Sequence, residues 1–268
     1  MNKDLTENMD WEGPEGPFER FVVGRKMSKK LNKDWTFETF VVGKENEVAV
    51  KLAKQIARCR SKDKAFYICG SESGLGVSHL LQSIAWQILR RHPSKEVIYK
   101  DIENYENQYY DSLSDQTSEE FLEYLGNNVF CLVLDGLSIL TKKALRQKHV
   151  LYVIEKRLRH GLLTLIGGCY TPETIERLDK NLLNIIKGFP VAEIHPPGFD
   201  LRLAILWKLQ ERYGINFNDN ILTLLAREIK DIRLLQSAMF RLKLALDVYP
   251  DIPSDKMARD ILTEKCYK

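Results

Sequence analysis

A glycine-rich stretch between an apolar run and a helical pattern is where residue types and spacing first suggest chemistry. Ala65–Cys69 is short and apolar, and Gly70–Ser78 reads Gly-Ser-Glu-Ser-Gly-Leu-Gly-Val-Ser. A strand, a glycine turn and a helix N-terminus in this order point backbone N–H groups at one spot, where they bind phosphate. The stretch therefore predicts a phosphate-binding loop.

The loop matches the P-loop pattern G-x-x-x-x-G-K-[ST] only in part. Gly76 and Ser78 fit, and the Ser78 hydroxyl is of the kind that binds Mg²⁺. Ser71 stands where the first glycine belongs, and Val77 stands where a lysine would contact the terminal phosphates. From the loop alone, an ordinary strand-to-helix turn remains an open alternative.

A second apolar strand that ends in an acid supplies the other half of such a site. Cys131–Asp135 reads Cys-Leu-Val-Leu-Asp, and Asp135 is placed to hold Mg²⁺ through water. A hydrolytic enzyme of this type keeps a second carboxylate to orient the attacking water, but the next residue here is Gly136. With Val77, two independent requirements for hydrolysis are missing, so the sequence predicts no catalytic residues and no ATP turnover.

These segments belong to a longer alternation of strands and helices. We expect five strands, namely Ala65–Cys69, Glu96–Lys100, Val129–Leu134, Leu162–Ile166 and Val191–Ile194. Another helix is expected to begin at Pro172–Leu178, and about three helices follow Asp200, with Trp207 as a core residue. Strands that alternate with helices indicate a parallel sheet covered on both faces. The predicted fold class is therefore α/β, with a small helical lid after the sheet.

Length and composition restrict the class of protein. The 268 residues are 44% hydrophobic and 29% charged, which is the balance of a globular chain of one large or two modest domains. We expect no membrane partner, because no apolar run reaches 18 residues. Met1–Asp10 lacks a signal peptide's apolar region and the five cysteines are far apart, so we expect a cytoplasmic protein with reduced thiols. The net charge of +3 does not by itself indicate a polyanion partner.

Four segments in register resemble the DnaA family of bacterial replication initiators, which are AAA+ proteins. The segments are Asp34–Gly43, Gly74–Leu81, Ile194–Leu206 and Asp231–Leu242. The resemblance implies an AAA+ P-loop core with a five-stranded parallel sheet over residues 31–198 and a helical lid domain over 199–268. Residues 1–30 would be a flexible N-terminal segment.

The resemblance also implies which residues would contact ADP or ATP with Mg²⁺. They are Val41, Val42, Gly43, Gly74, Leu75, Gly76, Val77, Ser78, His79, Asp135 and Arg233. Ser78 and Asp135 would hold the metal, and Arg233 matches the family's sensor-2 arginine. Because the loop has no lysine, a charge-assisted contact is lost and binding should be weak or absent. Gly167 and Gly168 stand where a polar sensor-1 residue would follow its strand, and Asn184–Lys187 lacks the family's intersubunit arginine.

The predicted function is that of a non-hydrolytic DnaA/Hda-like protein that regulates or scaffolds replication initiation. The chain ends after the lid, so we expect no helix-turn-helix domain, as in the DnaA-like regulator Hda. Expected partners are the initiator DnaA or another AAA+ protein, the replicative helicase, single-stranded DNA, or further copies of the chain. The alternative is an ATP-binding helicase loader or transposition accessory AAA+ protein, whereas Val77 disfavours a metabolic P-loop kinase.

A basic stretch between Thr141 and Gly161 suggests contact with nucleic acid. It contains seven Lys and Arg residues and one acid. In the resembled family, helices in this part of the core line a channel for single-stranded DNA. Lys142, Lys143, Arg146 and Lys148 are therefore predicted to contact phosphates, in a salt-sensitive way. A solvated helix face is the alternative.

A short segment occurs twice near the N-terminus. Phe18–Gly24 and Phe37–Gly43 share six of seven residues at an offset of 19. The resemblance implies that the second copy lies at the nucleotide site. The first copy is predicted to pack in the same chain or to dock on a neighbouring copy, and a plain surface strand or turn is the alternative.

Overall fold

The computed structural model of the protein describes residues 31–142, 144–249 and 254–263. The predicted N-terminal segment 1–30, which includes the first copy of the repeated segment, lies outside these residues, as does Lys143. The side chain of Lys142 also lies outside the described part, although its backbone is included.

Five strands form one parallel sheet, as the sequence predicts. They are β1 (Ala65–Gly70), β2 (Val97–Asp101), β3 (Cys131–Asp135), β4 (Leu163–Cys169) and β5 (Val191–Ile194), in the order β2-β3-β4-β1-β5. All residues of β1 and β3 are buried, as expected for central strands with helices on both faces. Gly70 lies opposite Cys169, and Asp101 lies opposite Asp135. The carboxyl ends of the strands therefore meet at one edge of the sheet.

Helices cover both faces of this sheet. Those described are α1 (Glu47–Ile56), α2 (Val77–Arg91), α3 (Ile102–Ser114), α4 (Ser118–Asn127), a 3-10 helix (Leu137–Lys142), α5 (Ala144–Arg159) and α6 (Lys180–Lys187). Alternate side chains of β1 enter different cores, because successive strand residues point to opposite faces. Phe66 packs in the core that contains Ile84 of α2, whereas Tyr67 packs in the core that contains Ile154 of α5.

A second group of helices follows β5 and has a core of its own. It consists of α7 (Phe199–Tyr213), α8 (Asp219–Glu228), α9 (Ile232–Val248) and α10 (Ser254–Thr263). Gly214 ends α7 in the left-handed conformation, which favours glycine. The Asn218 and Asp231 side chains cap α8 and α9 by accepting hydrogen bonds from backbone N–H groups of the first turn. These four helices form the lid.

Several local predictions were wrong. Pro172–Leu178 is a turn followed by irregular chain, and the helix begins at Lys180 because the Asp179 side chain caps it. Gly167 and Gly168 lie inside β4 rather than after it, since β4 continues to pair with β1 as far as Cys169. Trp207 is 49% exposed and is not a core residue. Helices α3 and α10 were not predicted.

Arg157 of α5 joins several elements from inside the protein. It is fully buried and donates to the backbone carbonyls of Leu125, Val129 and Leu163, at 2.6, 3.0 and 2.7 Å. Its Nε donates to the hydroxyl of Thr164 at 2.9 Å. Burial lowers the pKa of Arg157 to about 10. The guanidinium charge is stabilised by these four neutral oxygen acceptors. The hydrogen bonds connect α5 to α4, to Val129 and to β4.

Replacing Arg157 with Met should destabilise the fold, because it leaves buried carbonyl groups without donors. We expect Arg157→Met to lower the free energy of unfolding by about 2–4 kcal/mol, measured by urea denaturation. The matched control Arg159→Met, at an exposed position of the same helix, should change it by less than about 0.5 kcal/mol. Equal denaturation midpoints for the two variants would contradict this structural role.

Candidate functional site

A cleft of about 920 Å³ lies between the carboxyl edge of the sheet and the lid. Nine of the eleven predicted nucleotide-contacting residues line it, namely Val41, Gly74, Leu75, Gly76, Val77, Ser78, His79, Asp135 and Arg233. Val42 and Gly43 do not line it. Val42 is 47% exposed, and the backbone N–H of Gly43 donates to the Asn46 side chain. Their predicted contact with a nucleotide has no support in the geometry of the cleft.

The glycine-rich loop has a backbone that favours glycine at two positions. Gly74 and Gly76 have φ angles of +93° and +104°, in the left-handed region. A Cβ atom at Gly76 would lie 3.0 Å from the Phe40 ring, and one at Gly74 would lie 2.7 Å from Nε of Arg233. Helix α2 begins directly after Gly76. The loop and the helix N-terminus thus form the backbone setting that binds phosphate groups.

Val77, at the position of the missing lysine, belongs to an apolar contact. Its side chain is half-buried and packs against the core of the sheet. It lies beside Gly167 of β4, where an added Cβ would be 3.2 Å from a Val77 methyl group and 2.8 Å from Oδ1 of Asp135. The same Cβ would collide with Leu81. Close packing around Gly167 therefore leaves no space for a larger residue at this position.

Asp135 is buried at the end of β3, and its partner is a residue that the sequence analysis missed. The Tyr99 hydroxyl donates to Oδ2 of Asp135 at 2.5 Å, and it also hydrogen-bonds the Ser78 side chain. Burial, followed by the Asp135 charge, raises the pKa of Tyr99. Asp135 and Ser78, the two predicted magnesium ligands, therefore both contact the Tyr99 hydroxyl. The only signal for Tyr99 was its place in β2, next to β3 in the sheet.

Gly136 makes it difficult to place a second acid after Asp135. Its φ angle is +86°, in the left-handed region, so any other residue there would be strained. Its backbone N–H donates to the carbonyl of Gly167 at 2.9 Å. This bond holds the turn against β4.

The lid brings Arg233 onto the loop. Arg233 lies in the first turn of α9, and its guanidinium donates to the Asp231 carboxylate at 3.2 Å. That hydrogen bond raises the pKa of Arg233. The side chain is 59% exposed and contacts Gly74, so its charge lies beside the site where phosphates would bind.

The other end of the cleft is aromatic. The His79 ring stacks on Trp35 with centroids 5.8 Å apart, and it meets Phe40 edge-on at 5.0 Å. Its Nε2 lies 3.0 Å from the carbonyl oxygen of Thr36, and burial lowers the pKa of the ring. His79 therefore holds the segment around Trp35 against α2. Trp35 and Phe40 also line the cleft, which the sequence analysis did not predict for them individually.

The described residues of the predicted basic stretch do not all face solvent. Arg157 points into the core, and Lys156 pairs with Glu123. Arg146 pairs with Glu106 and lies 5.3 Å from the centre of the Tyr110 ring, which is 43% exposed. Lys148 is exposed. Of the predicted DNA-binding residues with described side chains, one is paired and one faces solvent.

The described residues contain neither a cluster of metal ligands nor a membrane-spanning helix. In the ranges 31–142, 144–249 and 254–263, no three His, Cys, Asp or Glu side chains gather as metal ligands. None of the helices described is both long and apolar enough to cross a membrane.

Comparison with known proteins gives the family. Residues 31–189 match the bacterial DnaA ATPase domain. The chain is 29% identical to the chromosomal replication initiator protein DnaA of Jannaschia sp. over 244 residues, covering 88% of the chain and 50% of that protein. It is 30% identical to DnaA of Kosmotoga olearia over 238 residues, covering 88% of the chain and 52% of that protein. The chain thus spans about half the length of these relatives.

Solved structures agree with this comparison. Domain III of the Thermotoga maritima DnaA superposes with a TM-score of 0.81 at 27% identity, covering 87% of the chain and 97% of the domain. A replication initiator DnaA bound to AMPPCP and single-stranded DNA shares the fold, with a TM-score of 0.73 at 20% identity, covering 82% of the chain and 69% of that protein. The family match covers more than half of the chain, so the chain belongs to the bacterial DnaA ATPase domain family and has its AAA+ fold.

Proposed function

We propose that this DnaA-family chain does not hydrolyse ATP and that it regulates or scaffolds replication initiation through protein partners, as an Hda-like protein. The observation that carries the proposal is Val77 at the position of the P-loop lysine, packed beside Gly167 and Asp135. An apolar side chain there gives the phosphates no charge-assisted hydrogen bond. Stabilisation of the transferred phosphoryl group relies on such contacts.

Gly136, the residue after Asp135, supports the same proposal. Hydrolysis needs a group that orients the attacking water. Gly136 has no side chain, and its left-handed backbone disfavours replacement. The two departures involve different elements, the loop and β3, so a single substitution would not restore the hydrolytic site.

The cleft keeps features that would bind a nucleotide without turnover. The N-terminus of α2 and the loop amides favour a diphosphate, and Arg233 adds a positive charge beside Gly74. Ser78 would bind Mg²⁺, with Asp135 acting through water, and the ion would neutralise phosphate charge. We propose weak ADP or ATP binding, which would favour one arrangement of core and lid for a protein partner.

Calorimetry with ADP and Mg²⁺ tests the loop directly. The Val77→Lys variant should bind ADP at least about tenfold more tightly than the unmodified chain, because it restores a charge-assisted contact. The matched control Val77→Met adds length without charge and should not tighten binding. Equal affinity in all three proteins would contradict the role assigned to Val77.

Phosphate release from ATP tests the absence of hydrolysis. The purified chain and its Asp135→Ala variant should both release phosphate at the rate of buffer alone, because the chain lacks two groups that hydrolysis needs. The Val77→Lys variant should also stay at that rate, since Gly136 is unchanged. Sustained release that Asp135→Ala abolishes would overturn the proposal.

A pull-down from the native cell distinguishes the candidate partners. An Hda-like regulator should capture the initiator DnaA or another AAA+ protein. Capture of the replicative helicase together with tight ATP binding would favour the alternative of a helicase loader.

Single-stranded DNA binding is a second proposed activity, favoured by the surroundings of Arg146. The guanidinium lies over the exposed Tyr110 ring, and Lys148 is exposed on the same helix. Aromatic and basic side chains together are typical of single-strand binding surfaces. A related initiator has been solved with single-stranded DNA.

Fluorescence anisotropy with a single-stranded oligonucleotide tests this activity. Replacing Lys142, Lys143 and Lys148 with Glu should weaken binding at low salt, while Arg146 stays paired with Glu106. The slope of log affinity against log salt should become shallower by about 2, since each lost phosphate contact contributes about 0.7.

A charge-matched control separates local contact from a change in net charge. Lys33, Lys44 and Lys51 are exposed and lie outside the basic stretch, and their replacement with Glu should have a much smaller effect. Equal loss in the two triple variants, or no binding to the unmodified chain, would contradict a DNA-binding role for the stretch.

A further inference from the structure

A groove beside the nucleotide cleft has no role in the proposed function. It has a volume of about 310 Å³ and lies between the second copy of the repeated segment and helix α7. Its lining residues are Glu38, Thr39, Phe40, Val41, Ala204, Trp207, Lys208 and Glu211. Trp207 is half-exposed here, on a helix whose Leu206 and Leu209 are buried in the lid core. The exposed indole gives the groove a large apolar wall.

Three charged side chains line the groove, namely Glu38, Lys208 and Glu211. Lys208 is paired with Glu211 at 2.8 Å, so its charge is largely compensated. Glu38 is exposed, and a hydrogen bond from Thr36 lowers the pKa of its carboxyl group, so it is ionised at neutral pH. Glu38 lies 4.0 Å from Arg90, and Glu211 is the partner of Lys208. The lining therefore carries one net negative charge, which suits an apolar segment with basic flanks.

The second copy of the repeated segment already packs on this chain through its apolar residues. Phe37 packs against the core of the sheet, and Phe40 is buried against the phosphate loop. Val41 lines both the groove and the cleft. The first copy has the same Phe, Phe and Val at Phe18, Phe21 and Val22.

The first copy differs in its charges, and the difference matches the groove. Arg20 replaces the threonine of the second copy, and Arg25 and Lys26 follow. Phe18–Lys26 thus carries three basic residues and one acid, Glu19. The second copy already occupies the position against α2 and the phosphate loop. The first copy cannot bind there, whereas the adjacent groove is open.

We propose that Phe18–Gly24 docks in this groove of its own chain, with Phe18 or Phe21 against Trp207 and its basic residues near Glu38 and Glu211. Gly24 precedes Leu31 by seven residues, which can span about 23 Å. The chain from Leu31 to the groove is compact, since Trp35 and Phe40 donate backbone hydrogen bonds to residues three and four positions earlier. The connection thus has a reach of about 23 Å from a point only a few residues before the groove, which favours docking within one chain.

Fluorine NMR of the full chain labelled with 5-fluorotryptophan tests this docking. The chain has four tryptophans, and the Trp207→Phe variant identifies the Trp207 resonance. Replacing Phe18 and Phe21 with Ser should move that resonance by more than its linewidth, because an aromatic neighbour is lost. The Trp86 resonance should stay in place and so report an intact core. The matched control replaces Leu5 and Met9 with Ser, outside the repeated segment, and should leave Trp207 unchanged.

Concentration distinguishes docking in the same chain from docking on a neighbour. Docking within the chain predicts the same shift at concentrations that differ tenfold, with a monomeric mass by light scattering. An unchanged Trp207 resonance, or an equal shift in the Leu5 and Met9 control, would overturn the proposal. A shift that appears only with a dimeric mass would also overturn it and would indicate a second copy as the occupant. None of these readouts depends on nucleotide binding.

Discussion

The close packing of the phosphate loop between the sheet, the aromatic segment and the lid is the constraint on which the cleft depends. Gly76 leaves just enough space for Phe40, and Gly74 for Arg233. A Cβ atom at either glycine would crowd the facing side chain and require it to shift. The loop backbone is therefore fixed by contacts on two sides, and its amides can face phosphate even though the lysine is absent. Packing thus maintains the shape of the phosphate loop, although the loop lacks the positive charge of the P-loop lysine.

The altered positions are also packed, which explains how the fold tolerates them. Val77 and Leu81 lie against Gly167 of β4, and Gly136 completes a turn that bonds to the same glycine. Loss of charge at the loop thus coincides with an apolar contact between α2 and β4. The chain therefore keeps the fold of its family around a loop that has an apolar residue at the lysine position.

Much of the fold could be predicted from the sequence, because strand and helix periodicities are local signals. The five strands and the loop were found in this way, whereas Trp207 was assigned to the core because apolarity does not reveal which face of a helix is covered. Tyr99 was missed since its partner, Asp135, lies on the neighbouring strand. Arg157 was counted as part of a basic stretch, although its environment is built by α4 and β4, which sequence spacing does not bring together.

The most direct test of the central claim is the chemical state of nucleotide after long incubation with the protein. Concentrated chain is mixed with radiolabelled ATP and Mg²⁺, quenched over several hours, and the nucleotide is separated by chromatography. The account predicts that the nucleotide is recovered as ATP, in the same proportion as with Asp135→Ala or buffer. Conversion to ADP that is faster with the unmodified chain than with Asp135→Ala would contradict it.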